Sequence, residues 1–146
     1  MYKRRARVLF LENGDGTRVR WAEALVARTA SAWLIPVAAA RGPGRPDTRL
    51  GWVASERGVR VSLAPCEGEP QELARQCDLV VALTMDPDGL PSRLAGCPLK
   101  AWPSVGRGAT LADLRALGDE LEARLRGLAG GFRLMQGSGS GIGNRS

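Results

Sequence analysis

Residues 7–18 of this 146-residue chain decide its fold, and they read Arg7-Val8-Leu9-Phe10-Leu11-Glu12-Asn13-Gly14-Asp15-Gly16-Thr17-Arg18. The run from Val8 to Leu11 is continuous and apolar, as in a central strand that is covered on both faces. A glycine-bearing loop follows, and a helix is predicted to begin at Arg18. A strand, a tight loop and a helix N-terminus together form a common cradle for oxyanions, because backbone N–H groups converge there and the helix dipole favours negative charge.

A carboxylate stands at the first position of this predicted loop, where it would repel the anion that the loop is shaped to hold. Glu12 has two possible roles. It is either a carboxylate nucleophile for phosphoryl transfer, or a side chain that folds into the empty loop and pairs with Arg18 or the loop amides in place of an anion. We favour the second role, because an anionic glutamate would clash with a dianion in a narrow loop. The predicted anion loop comprises Glu12, Asn13, Gly14, Asp15, Gly16, Thr17 and Arg18.

Strands alternate with helices along the rest of the chain. Apolar runs predict strands near residues 6–11, 32–38, 78–84 and 99–102, and helical spacing predicts helices near residues 18–29, 47–57, 69–76 and 111–128. Pro36 has no backbone N–H to donate, which places the second strand at a sheet edge. The alternation predicts an α/β fold with a small parallel sheet and right-handed crossovers. Ligands of such sheets bind beyond the carboxyl ends of the strands, where the predicted anion loop lies.

The length of the chain fits one domain, which we assign to residues 1–135. Residues 136–146 are rich in glycine and serine and poor in apolar side chains. Such a segment cannot bury enough apolar surface to order itself, so it is predicted to be a flexible tail.

The chain contains no histidine and three cysteines, Cys66, Cys77 and Cys97, without CxxC spacing. Histidine-based metal sites, Ser-His-Asp triads and Cys-His pairs are therefore excluded. The thiols are interpreted as packing residues. We expect neither a metal nor a cofactor.

The net charge of +6 raises the question of nucleic-acid binding. The positive residues are scattered, and aromatic residues do not interleave with them as a stacking platform for single strands would require. Nucleic acid is therefore not the expected partner. No apolar run approaches the roughly 20 residues of a membrane span, and no signal-peptide pattern is present. A cytoplasmic location is the default expectation.

The sequence around the first loop resembles the opening of the low-molecular-weight protein tyrosine phosphatases and of the related thioredoxin-coupled arsenate reductases. Gly14, Arg18 and the pair Ala22-Glu23 match the family's glycine, arginine and Ala-Glu. The run Cys77–Thr84 resembles the family's third strand, and Trp102-Pro103 resembles the His-Trp-Pro of the reductase branch. The predicted helix over residues 111–128 resembles the closing helix of both branches. The resemblance implies a three-layer sandwich with a four-stranded parallel sheet of order 2-1-3-4.

The resemblance also implies a cysteine nucleophile in the first loop, and Glu12 stands at its position. The phosphatases' general acid is an aspartate shortly after the last strand, but residues 102–107 contain no carboxylate, and Asp86-Pro87 is interpreted as a turn. The reductases need two further thiols, and Cys97 has no partner nearby in sequence. Asp15 replaces the loop asparagine of the family. Of the functional set, Arg18 alone is retained.

The leading hypothesis is therefore a member of this family that has lost the catalytic cysteine, a pseudoenzyme that acts by binding a protein or a small molecule. Its binding of phosphate is expected to be weak or absent. The first alternative is residual tyrosine phosphatase or arsenate reductase activity. The second is a basic protein associated with nucleic acid, which would show steeply salt-dependent binding.

Overall fold

The computed structural model of the protein describes residues 4–83, 90–103 and 110–142, with side chains described as far as residue 134. Its helices and strands follow one another in the order β1 (Ala6–Glu12), α1 (Thr17–Thr29), β2 (Leu34–Ala40), α2 (Arg49–Glu56), α3 (Pro70–Ala74), β3 (Leu79–Leu83), β4 (Arg93–Leu94), β5 (Cys97–Trp102) and α4 (Leu111–Ile142). The predicted alternation of strands and helices is confirmed. Within the described residues, no helix combines the length and the apolar character that a membrane span needs.

The sheet has the strand order β2-β1-β3-β5-β4, so β1 lies inside it with a parallel neighbour on each side. The order predicted for the four parallel strands is confirmed, and Pro36 lies in the edge strand β2, opposite Val8. Edge strands tolerate proline because one side of the strand needs no ladder donor.

The predicted number of strands was wrong, because the described residues form five strands and one pair is antiparallel. β4 pairs with β5 through Arg93 and Leu94, and the two residues between these strands have positive φ, 50° at Ala95 and 84° at Gly96. Positive φ at both central residues is the pattern of the two-residue hairpin turns that match the strand twist.

The core has two parts, one on each face of the sheet. Residues of α1, α2 and α4 cover one face, on which Phe10, Trp21 and Leu25 are fully buried. The short helix α3 covers the other face, over Leu9 and Leu11. β1 is therefore buried on both faces, as its continuous apolar run predicts, and the carboxyl end of this rigid strand carries the loop of interest.

A buried ion-pair cluster joins the helices of the larger layer. The Glu122 side chain on α4 is 8% exposed, and it accepts hydrogen bonds from Arg57 at 2.6 Å and from Arg28 at 2.7 Å. Arg57 follows α2 and also lies over the ring of Trp21. The Trp21 indole N–H donates to the carbonyl of Leu114 at 2.9 Å, so α1, α2 and α4 are tied together by specific polar contacts.

The last helix continues to Ile142, beyond the predicted end near residue 128 and into the segment predicted to lack order from residue 136. Helical hydrogen bonds are local, so residues of low helix propensity can extend a helix that the preceding residues have begun. The division into a domain over residues 1–135 and a flexible tail over residues 136–146 stays a prediction.

Candidate functional site

The loop Asn13–Gly16 connects β1 to α1 at the carboxyl end of the central strand. The chain continues from β1 to β2 on one side of the sheet, and β3 lies on the other side. Such a reversal of direction in strand order creates a crevice in which ligands bind in open α/β sheets. The N-terminus of α1 points its backbone N–H groups and the positive end of its dipole into this region.

The carboxylate of Glu12 lies inside this loop. Its side chain is fully buried, and its Oε1 accepts a hydrogen bond from the backbone N–H of Val19 at 3.0 Å. Its Oε2 lies 3.7 Å from a guanidinium nitrogen of Arg18, whose side chain is 22% exposed. The structure thus brings Glu12 and Arg18 together as an ion pair at the start of α1.

The position of Gly14 shows how closely the carboxylate fills the loop. A Cβ placed on Gly14 would lie 2.6 Å from Oε2 of Glu12 and 3.8 Å from the Arg18 guanidinium. Contacts of carbon with oxygen shorter than about 3 Å are repulsive. The carboxylate therefore lies directly over the Gly14 backbone, within the loop.

Burial changes the acidity of Glu12. It raises the pKa of this carboxyl above its usual value, because the charged form loses its hydration, while the Val19 N–H and the Arg18 charge act in the opposite direction. The nearby charge of Asp15 adds to the increase. Within the described part of the chain, Oε2 accepts no hydrogen bond. The loop holds the carboxylate but satisfies only one of its two oxygens.

Asp15 braces the start of α1 through Thr17. Its Oδ1 accepts hydrogen bonds from the Thr17 backbone N–H at 3.0 Å and from the Thr17 hydroxyl at 2.7 Å. The same hydroxyl accepts the N–H of Asp47 at 2.9 Å. Asp47 precedes α2 and accepts the N–H of Arg49. This chain of contacts couples the start of α1 to the start of α2.

Gly16 and the segment after β2 complete the walls of the loop. Gly16 has a φ of 102°, a left-handed conformation that favours glycine, and an added Cβ would lie 3.2 Å from the sulfur of Cys66. Gly42 donates its N–H to the carbonyl of Gly14 at 2.9 Å. A Cβ on Gly42 would lie 2.5 Å from the carbonyl oxygen of Asn13, so a residue with a side chain does not fit there unless the backbone moves. The Asn13 side chain itself is exposed.

Gly42, Asp47 and Cys66 were therefore missed by the sequence interpretation. They come from separate loops, and no local pattern links them to residues 12–18. Cys66 is partly buried, and burial raises the pKa of its thiol above the ordinary value. It is accordingly a protonated packing neighbour of the loop at neutral pH and not a reactive thiolate.

The other predicted features lie elsewhere. The Asp86-Pro87 pair and residues 104–107 lie outside the described residues. The Cys97 thiol donates to the carbonyl of Cys77 at 3.3 Å, a proximity that their spacing in sequence does not suggest. Among the described residues, no group of three His, Cys, Asp or Glu side chains is placed to hold a metal ion.

Comparison with known proteins identifies the fold. No protein-family model and no curated protein sequence matches the chain. An arsenate reductase in its phosphate-binding state superposes with a TM-score of 0.74 at 16% identity, over 87% of this chain and 98% of that one. An arginine phosphatase from Geobacillus stearothermophilus superposes with a TM-score of 0.71 at 19% identity, over 90% of this chain and 95% of that one. A low-molecular-weight protein tyrosine phosphatase from Bacillus subtilis superposes with a TM-score of 0.64 at 19% identity, over 84% of this chain and 94% of that one.

These similarities establish the fold shared by the arsenate reductases and low-molecular-weight phosphatases: a sheet of mainly parallel strands, flanked by helices. The resemblance drawn from the first loop and the later strands is confirmed at the level of the fold. The low identities do not carry over any activity.

Proposed function

We propose that the protein is a pseudoenzyme with the fold of the low-molecular-weight phosphatases and arsenate reductases, which acts by binding a protein or small-molecule partner. One observation carries the proposal: the Glu12 carboxylate lies buried within the loop that the fold offers to an oxyanion. The oxyanion and the side chain compete for the same space. A loop that is filled by its own chain has no room for a phosphate or arsenate substrate.

Chemistry in this fold starts, as the resemblance implies, with a thiolate at the first loop position, and the loop residues 12–18 contain no thiol. The one hydroxyl of the loop, on Thr17, is held between Asp15 and Asp47. The Cys66 thiol packs beside Gly16, and burial raises its pKa, which disfavours the thiolate. No side chain of the loop is therefore prepared as a thiolate or alkoxide nucleophile.

Glu12 itself is poorly suited to attack a phosphoryl group. A nucleophilic carboxylate must face the substrate across an open space. The Glu12 side chain is instead fully buried, and its Oε1 accepts the Val19 N–H. The carboxylate also occupies the place of the substrate. The arrangement supports a structural substitute for the anion more than a catalytic group.

Loss of the nucleophile should abolish turnover, because removing such a group commonly costs many orders of magnitude in rate. We expect the purified protein to show no measurable hydrolysis of an aryl phosphate and no thioredoxin-coupled reduction of arsenate. The Glu12→Cys variant tests whether the rest of the loop can still support chemistry.

The decisive comparison is wild type against Glu12→Ala in the aryl phosphate assay. Wild-type turnover that disappears in Glu12→Ala would establish a carboxylate nucleophile and refute the pseudoenzyme. Turnover that persists in Glu12→Ala would point to a contaminating phosphatase, and a repeat with protein purified by a second route would identify it.

A further inference from the structure

A groove lies between α4 and the strands β3 and β5, and no residue of the anion loop lines it. Its volume is about 530 Å³, within the range of about 300–1,000 Å³ that is usual for small-molecule sites. Leu79, Leu128 and Phe132 line its apolar part. Lys100 and Arg124 line its polar part, beside the buried ring of Trp102.

On its α4 side the groove is lined by two exposed glycines, Gly127 and Gly131. Gly127 and Gly131 are separated by one helical turn and therefore share a face. A Cβ added to either glycine meets no atom within 4 Å. Glycine inside a helix costs about 1 kcal/mol relative to alanine, and no packing contact among the described residues requires either glycine.

The charged residues described in the groove, Lys100 and Arg124, are both cationic. Lys100 lies opposite Val81 in the sheet, and its side chain is exposed at the groove. The Arg124 guanidinium carbon lies 5.7 Å from the centre of the Trp102 ring. Among the described residues that line the groove, none is acidic. An anionic group between Lys100 and Arg124 would complement both cations.

The cationic and apolar parts are separated along the helix. Phe132 lies eight positions after Arg124, which corresponds to about 12 Å at the helical rise of about 1.5 Å per residue. On the sheet side, Leu79 begins β3 and Trp102 ends the parallel strand β5, and Lys100 lies between their levels. The groove is therefore long, with Arg124 towards one end and Phe132 towards the other.

We propose that this groove binds a medium-chain alkyl carboxylate. The carboxylate lies between Lys100 and Arg124, and the alkyl chain runs along Gly127 and Gly131 to Phe132. An elongated chain suits the groove because the two glycines leave space along the helix, and an anionic head complements the two cations. The site is separate from the anion loop, so it does not depend on the pseudoenzyme proposal.

Decanoate below its micellar concentration is the probe, and isothermal titration calorimetry of the full chain measures its binding. Gly127→Leu fills the groove and should weaken binding at least tenfold. Gly130→Leu is the matched control, because Gly130 faces a different surface beside Thr29 and Trp33 and its added Cβ also meets no neighbour. Both changes replace a helix glycine by a better helix former, so both variants should fold.

The charged end is tested with decanol, which has a matched chain and no charge. Wild type should bind decanoate at least tenfold more tightly than decanol, and a Lys100→Gln/Arg124→Gln variant should remove most of that difference. Three results would each overturn the proposal: no heat of decanoate binding to wild type, equal weakening in Gly127→Leu and Gly130→Leu, or equal affinity for decanol and decanoate.

Discussion

Replacing Gly14 by alanine tests directly whether the Glu12 carboxylate fills the loop. The added Cβ would lie 2.6 Å from Oε2 of Glu12, so the carboxylate must move if the alanine is to fit. Moving it weakens the hydrogen bond from Val19 and the approach to Arg18. Gly14 is not among the glycines with positive φ, so its backbone accepts an L-residue without strain.

Two opposing effects set the magnitude. Inserting a methyl group into a filled space typically costs about 1–3 kcal/mol. Replacing glycine by alanine where the backbone permits it gains about 0.4–1 kcal/mol by restricting the unfolded chain. Gly14→Ala should therefore destabilise wild type by about 0.5–2 kcal/mol. In a Glu12→Ala background the obstructing carboxylate is gone, so the same change should be neutral or stabilising.

Urea unfolding of wild type, the two single variants and the double variant gives the coupling energy of the pair, which we expect to be about 1–3 kcal/mol. Gly42→Ala is the control, because its Cβ would meet the backbone carbonyls of Asn13 and Gly14 and should cost the same in both backgrounds. An equal cost of Gly14→Ala with and without the glutamate would show that the carboxylate does not lie over this glycine, and the reasoning would fail.

Two further predictions concern buried charges. Burial raises the pKa of Glu12 above 4.5, the usual value for a glutamate. Between pH 4.5 and the higher pKa of the folded state, the folded protein therefore keeps a proton that the unfolded chain has lost. Over this pH range the contribution of Glu12 to wild-type stability falls as pH rises. Glu12→Gln removes this dependence, and its stability relative to wild type in urea should increase with pH above about 4.5; a constant difference would contradict it. Glu122→Gln should cost about 2 kcal/mol, less than the ~3–5 kcal/mol of a fully buried pair because Arg28 is half exposed. Glu56→Gln, in the exposed pair with Arg115, should cost much less, and equal losses would refute the burial argument.

The main features of the sheet could be predicted because they depend on local patterns. A continuous apolar run marked β1 as central, and Pro36 marked β2 as an edge strand. β4 was missed because two residues are too short to show a period, and because its turn, Ala95-Gly96, lacks the Asn-Gly or Asp-Gly pair that marks most such hairpins. The extension of α4 was missed because glycine and serine have low helix propensity, a preference that a preceding stable helix can override.

The candidate site divides in the same way. Residues 12–18 are contiguous, so the strand, loop and helix start could be read together from the sequence. Gly42, Asp47 and Cys66 reach the loop from other segments of the chain, and the residues next to them in sequence form no pattern that predicts this contact. The role of Asp15 was also not predictable. The sequence alone does not distinguish an Asp15 side chain that is exposed in the loop from one that accepts a hydrogen bond from the Thr17 hydroxyl.

Phosphate binding is the most direct test of the filled loop. Without the Glu12 carboxylate, the loop amides and Arg18 should accept inorganic phosphate. A millimolar dissociation constant would stabilise Glu12→Ser by about 1.4 kcal/mol at tenfold excess, which corresponds to about 3–6 °C in Tm for a chain of this size. Glu72→Ser removes an exposed carboxylate on α3 and controls for the loss of charge and for the general effect of phosphate salts. Wild type and Glu72→Ser should show the same small shift, with Glu12→Ser well above both. A wild-type shift as large as that of Glu12→Ser would contradict the account, because the loop would then be open to phosphate with the glutamate in place.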